Sequence, residues 1–177
     1  MSGSLIKLDE EIITTSTANV TLGAANWDTS YDVYQVIMTD VQLSANTSVN
    51  MRMLLSGTAQ DTSNYDRAYN VLRTDATTAA SNNTGQTSNM INGGTSVGSL
   101  TNHSFNCTQF LFSFNESSKS SHYINEAVFL SEHGSEVLFG VNGGGMYEVS
   151  AAHNGVFYYP GSGTFDSGTF TLYGLKK

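Results

Sequence analysis

The chain has a single cysteine, only seven Lys and Arg, and no apolar run approaching the roughly 18 residues that a membrane-spanning helix requires. Each shortage excludes a class of protein. Cys107 has no partner for an intrachain disulfide, and at the start of an apolar strand it reads as a small buried hydrophobe. Seven basic residues against fifteen acidic ones leave a formal charge of −8 and no basic stripe to neutralise phosphates. Nucleic-acid binding and a polybasic membrane contact are therefore not expected. The segment Met1 to Glu10 holds no uninterrupted apolar stretch with a cleavage site, so the expectation is synthesis in the cytoplasm without a secretory signal. Charged residues of both signs make up only 12% of the chain, and Ser, Thr, Asn and Gly fill most polar positions, as in the turns and solvent faces of a sheet. Six Asn-x-Ser/Thr triplets, at Asn19, Asn46, Asn82, Asn102, Asn106 and Asn115, follow from that composition rather than from glycosylation.

What is present is β-sheet patterning. Residues 1–15 read as a short N-terminal arm, with Leu5, Ile6, Leu8, Ile12 and Ile13 set around Asp9-Glu10-Glu11, and 16–177 as one β-sandwich domain. Tyr31 to Val41 is fairly apolar on both faces, Tyr34, Val36 and Met38 alternating with Tyr31, Val33, Gln35, Ile37, Thr39 and Val41, as in a central strand covered on each side. Val49 to Leu55 alternates more cleanly, with Arg52 outward. From Ser56 to Thr101 the pattern weakens. Tyr65, Ala68, Tyr69 and Leu72 have helical spacing over too short a run to exclude a strand, and Thr74 to Ser99 reads as a long polar excursion. Strands return at Cys107 to Phe114, where Phe110, Phe112 and Phe114 share a face, at Tyr123 to Leu130, and at Glu136 to Val141. The run Asn142-Gly143-Gly144-Gly145 is expected to break the last of these before Met146. Gly155 to Leu175 reads as a closing hairpin, whose alternating Phe157, Tyr159, Phe165, Phe170 and Leu172 serve a core or a symmetry axis. The expected fold is all-β, an antiparallel, jelly-roll-like sandwich of about eight to ten short strands.

No motif selects a chemistry. His103, His122, His133 and His153 lack the close pairing of zinc ligands and read as solvated loop residues. Asp61, Asn64 and Asp66 lack the spacing and glycine of an EF-hand loop. Glu116, Glu126, Glu132, Glu136 and Glu148 include no pair that spacing marks as glycosidic acid and base, and Gly-x-Ser-x-Gly is missing. The glycine triplet carries no Lys and precedes a strand, so a bulge or turn is the better reading than a phosphate loop. No catalytic, metal or cofactor residue is assigned. Trp27, Tyr31, Tyr158 and Tyr159 suit either sugar stacking or a core or subunit interface.

Both ends carry a resemblance. Met1-Ser2-Gly3-Ser4-Leu5-Ile6-Lys7-Leu8-Asp9-Glu10-Glu11-Ile12-Ile13 leading into Asn19-Val20-Thr21-Leu22, together with the ending Ser167-Gly168-Thr169-Phe170-Thr171-Leu172-Tyr173-Gly174-Leu175, resembles small jelly-roll structural proteins in the virions of tailed phages, notably the marine cyanophage type. The resemblance implies a non-enzymatic virion component, a homotrimeric head decoration, appendage or fibre module that contacts other capsid or tail proteins and needs no cofactor. The alternative it leaves open is a receptor- or glycan-binding module at a fibre tip, with Trp27, Tyr158 and Tyr159 as subunit or ligand aromatics. In the first reading Leu5, Ile6, Leu8, Ile12 and Ile13 form the assembly contact by strand addition, and deletion of residues 1–13 is expected to abolish assembly while leaving the sandwich folded.

Overall fold

Period-2 alternation of β-branched and aromatic residues drives nearly the whole chain into strands. The computed structural model describes residues 4–76, 80–91, 96–132 and 136–176. In chain order the strands are β1 (Ser4–Ile13), β2 (Val20–Gly23), β3 (Val33–Leu43), β4 (Val49–Leu55), β5 (Thr58–Ala59), β6 (Tyr65–Arg73), β7 (Ala80–Thr87), β8 (Met90–Ile91), β9 (Phe105–Phe112), β10 (Ser121–Glu132), β11 (Glu136–Tyr147), β12 (Gly155–Pro160) and β13 (Phe165–Lys176). They form two antiparallel sheets. One has eight strands in the order β1, β13, β3, β9, β10, β11, β6, β7; the other runs β2, β12, β4, β5, with β8 also on β4. The first four strands of the wide sheet and the narrow sheet together have the order of a two-Greek-key jelly roll, and β10, β11, β6 and β7 extend its wide side. The expected antiparallel sandwich is therefore the fold. Among the described residues there are thirteen strands, more than eight to ten, because the hard-to-read stretch contributes β5 to β8.

The core lies between the sheets. Tyr34, Val36 and Met38 of β3, Phe105 and Leu111 of β9, and Phe170 and Leu172 of β13 face Leu22, Met51, Met53, Val156 and Tyr158 of the narrow sheet, all essentially inaccessible. Each such side chain contributes about 1.5–3 kcal/mol on burial. Two residues with left-handed backbone reset the alternation. Asp40 (φ 51) donates its N–H to Asn106 Oδ1 at 2.9 Å and makes the bulge after which Val41 and Leu43 point inward with Met38. Ser113 (φ 61) does the same beyond β9, so Phe114 enters the core and does not share a face with Phe110 and Phe112. Each costs about 1–2 kcal/mol of backbone strain, which the extra apolar burial offsets.

Three local expectations change. The closing segment is not a hairpin: β12 pairs with β2 and β4 in the narrow sheet, while β13 pairs with β1 and β3 in the wide one. The connection crosses the sandwich because it is tied to the loop between β3 and β4, Gly161 N–H to Ser48 O at 2.8 Å and Ser44 N–H to Thr164 O at 3.0 Å. Residues Ser4–Ile13 are not a free arm either. They pair along β13, Ile13 is buried, and the Asp9 carboxylate accepts bonds from Gly23 N–H (2.8 Å) and the Asn26 amide (2.9 Å). Finally, β11 runs unbroken through the glycine triplet, flanked by β10 and β6. Glycine is needed there because a Cβ at Gly143 would overlap the Ala68 carbonyl oxygen, and one at Gly145 the Asp66 carbonyl oxygen.

Where it is described, the 56–101 stretch contributes the strands β5 to β8, joined by turns and irregular segments. Tyr65, Tyr69 and Val71 of β6 are buried and Leu72 is exposed, so the helical spacing of Tyr65, Ala68, Tyr69 and Leu72 was a coincidence of two tyrosines an even number apart. Urea unfolding tests the glycine account. Gly143→Ala should cost about 1–3 kcal/mol by overpacking, whereas Gly140→Ala in the same strand, which meets only Leu72 Cβ at 3.9 Å, should stay within about 0.5 kcal/mol. Equal midpoints for the two variants would contradict it.

Candidate functional site

The wide sheet has two faces and the narrow sheet covers one. On the other, strand register places apolar side chains side by side: Ile124 lies next to Phe110 and Gly144, and Val128 next to Gly140, whose other neighbour is Leu72. Leu72, Ile124, Val128 and Leu138 are 55%, 51%, 45% and 44% exposed, and Ile37, Phe110 and Phe112 are half-buried beside them. At β1 the surface continues with exposed Leu5 and Ile12. Glycines at 140 and 144 remove side chains from the middle of this face and leave hollows in it. One of about 410 Å³ is floored by Gly144 and walled by Ile124, Phe112 and Met146; a second of the same size lies between Ile37, Thr108 and Val128. A smaller hollow of about 270 Å³ is bounded by Leu72, Leu138 and Gly140. Exposed apolar side chains grouped on one face are a usual feature of contact sites, and here Glu126 and Asn142 lie between the Ile124 and Val128 positions.

Among the expected assembly residues, Leu5, Ile6 and Ile12 are exposed, Leu8 packs against the core, and Ile13 is inside it. The aromatics separate in the same way. Tyr158 is wholly buried and donates its hydroxyl to Gln109 Oε1 at 2.6 Å, so it reaches neither ligand nor partner. Trp27 stacks on Tyr34 at 3.9 Å, and its indole N–H is bound by Asn115 Oδ1 at 2.9 Å. The Asn115 amide donates in turn to Tyr31 O and the Tyr34 hydroxyl, at 2.6 and 2.7 Å, so this asparagine is a loop clasp. Burial, the largest influence, raises the Tyr34 phenol to about 12 and keeps it protonated. Tyr31 covers Gly174, where a Cβ would strike its ring. Tyr159, half-exposed as Trp27 and Tyr31 are, lies on the outer face of β12, with Phe157 at 5.7 Å and the Arg52 guanidinium 5.0 Å over its ring.

The histidines are not all solvated. His122 is exposed on the wide sheet's outer face and His133 lies outside the described residues. His103 is fully buried, its Nε2 3.2 Å from Glu136 Oε1 and its Nδ1 3.6 Å from Glu132 Oε1; Gly98 permits this, since a Cβ there would overlap the ring. The Ser99 backbone N–H, above all, holds the Glu132 carboxyl below the usual range, and the Asn102 amide followed by His103 does so for Glu136. His153 is buried, with Nδ1 2.8 Å from Ser121 Oγ. This pair sits inside the core, where burial also pushes the Cys107 thiol up and keeps it protonated. Among the described residues no group of three or more His, Cys, Asp or Glu is placed to hold a metal ion. Sequence reasoning missed the outer face as a site because it expected β3 to be covered on both sides within one chain.

Comparison with known proteins finds no protein-family model, no curated protein and no solved structure that matches this chain.

The buried His153 has a pH signature. Burial depresses its pKa from 6.5 to about 4, so between those values the unfolded chain binds a proton that the folded chain does not. Stability is therefore full above about pH 6.5 and is lost as pH falls toward 4, by roughly 3 kcal/mol for this group. Urea titrations at pH 7 and pH 4.5 should show His153→Asn losing less stability over that interval than the parent chain; identical losses would contradict the assignment.

Proposed function

We propose that the chain is a non-enzymatic structural component of a tailed-phage virion, made in the host cytoplasm and assembled as a homotrimeric head decoration, appendage or fibre module. The observation that carries this reading is the broad, exposed apolar face of the wide sheet, on a chain whose net charge of −8 otherwise favours solubility. Such a face serves association, because it presents shape and apolar area. The jelly-roll order of the strands and the phage-like ends agree with it, as does the use of buried Ser121, His153 and Cys107 in packing. The partners are other copies and other virion proteins, with no nucleic acid, membrane or cofactor.

A second reading, a receptor- or glycan-binding tip, is favoured by the half-exposed Phe157 and Tyr159 pair beside Arg52 on the narrow sheet's outer face. It is weaker because Arg52 also donates to Ser88 O at 3.0 Å and is already committed to holding the chain that follows β7.

Antibodies raised against the purified chain test the main reading on particles of a phage that encodes it. The expected result is labelling of intact particles at repeated, symmetric positions on head or fibre. Chain in the infected lysate with none on purified particles would overturn it, and binding to a glycan array that Tyr159→Ala abolishes would favour the second reading.

A further inference from the structure

We propose that the inner side of the wide sheet, over the glycine triplet, binds a small oxyanion, a carboxylate or a phosphate, through Arg67, Tyr69, Tyr123 and Asn125. The site is argued from the sheet alone and does not rest on the virion reading.

Register brings the four residues together. The inward positions of β11 in this region are Gly143 and Gly145, which carry no side chain. Gly145 lies between Tyr123 of β10 and Arg67 of β6, and Gly143 lies between Asn125 and Tyr69 of the same two strands. Strands two apart in a sheet are only about 10 Å apart, so side chains from both neighbours reach over the bare strand. The Tyr123 ring does so: a Cβ on Gly145 would come within 2.8 Å of it. Burial raises the Tyr123 phenol and keeps it a donor, and the opposing pull of the Arg67 charge places the guanidinium close enough to act on it. The Tyr69 phenol acts on the same group.

Hydrogen bonding defines what is missing. Asn125 is 3% exposed and its amide nitrogen has no partner; the enclosed Nε–H of Arg67 has none either. The guanidinium Nη1 donates to Asn89 O over a long 3.3 Å. Both orphaned atoms are donors, so the group that satisfies them is an acceptor.

Charge makes that acceptor an anion. The chain has fifteen Asp and Glu for seven Lys and Arg, yet among the described residues Arg67 forms no ion pair. The inward positions of β6, β10 and β11 carry no carboxylate, because Asp66 and Glu126 alternate onto the outer face. A guanidinium left unneutralised beside an unpaired amide and two phenols matches the charge and lone pairs of an oxyanion. Half-buried Arg67 marks the opening to solvent, and the bound ion ties β6 to β10 across the glycines.

Calorimetric titration of sodium phosphate, and separately of sodium acetate, into the intact chain tests this in chloride buffer of matched ionic strength. The expected result is saturable binding of at least one of them, at one site per chain. Arg67→Met should weaken it by about 30-fold or more, and Asn125→Asp, which sets a carboxylate against the ion, by a similar factor. Lys119→Met, on an exposed turn, should bind as the parent does, which separates the site from general charge. Should the first two variants fail to fold, Tyr69→Phe removes only a hydroxyl and should weaken binding about fivefold. Two results overturn the proposal. One is no saturable heat from either anion at about 10 mM, ten times a millimolar dissociation constant. The other is binding that these variants keep unchanged.

Discussion

Everything in this chain depends on the packing of one broad sheet against one narrow one. An eight-stranded sheet made from 8- to 12-residue strands has more apolar surface than a narrow sheet led by β2, β12 and β4 covers. The chain meets the shortfall on the inner side by folding residues 96–103 back under β10, where Gly98 N–H donates to Leu130 O and buried Val97 bridges to Thr47. Nothing comparable lies over the outer side among the described residues. That asymmetry, rather than any cluster of reactive groups, is what the molecule presents to its surroundings.

The buried polar groups hold the sandwich together. The Tyr158 hydroxyl reaches across to Gln109 in the opposite sheet, and the Tyr65 hydroxyl accepts from Met53 N–H and donates to Gln60 O, joining β6 to the β4 edge. Ser121 and His153 tie the start of β10 to the loop before β12. A polar atom enclosed without a partner costs about 1–3 kcal/mol, so each of these pairs fixes the relative position of two elements as well as adding stability. In such a setting a Ser–His contact is structural: both groups are sealed from solvent, and the imidazole stays neutral at physiological pH.

Much of the fold was legible because period-2 alternation is a strong signal wherever one face is buried. The strand at Val49–Leu55 and the inward set Tyr34, Val36 and Met38 could be read directly. What escaped was set by single backbone conformations and by distant contacts. Left-handed Asp40 and Ser113 invert the facing of the residues after them, and neither residue type announces this in sequence. The glycine triplet resembles a turn until the close approach of the Ala68 and Asp66 carbonyls is seen. The separation of β12 from β13 depends on hydrogen bonds to Ser44 and Ser48, more than a hundred residues away in the chain. The site was half legible. The two-sided apolar pattern of β3 and β9 could be read, but one chain's sequence does not say whether the second cover is its own or a neighbour's.

The central claim is that the outer face of the eight-stranded sheet is a contact surface in the assembled state. A structure of the assembled oligomer, determined from crystals or by electron cryomicroscopy, tests it most directly. The account predicts that Ile124 and Val128 are buried against a neighbouring chain. Copies that meet instead through the narrow sheet or along the free edge of β1, leaving those side chains in solvent, would contradict it.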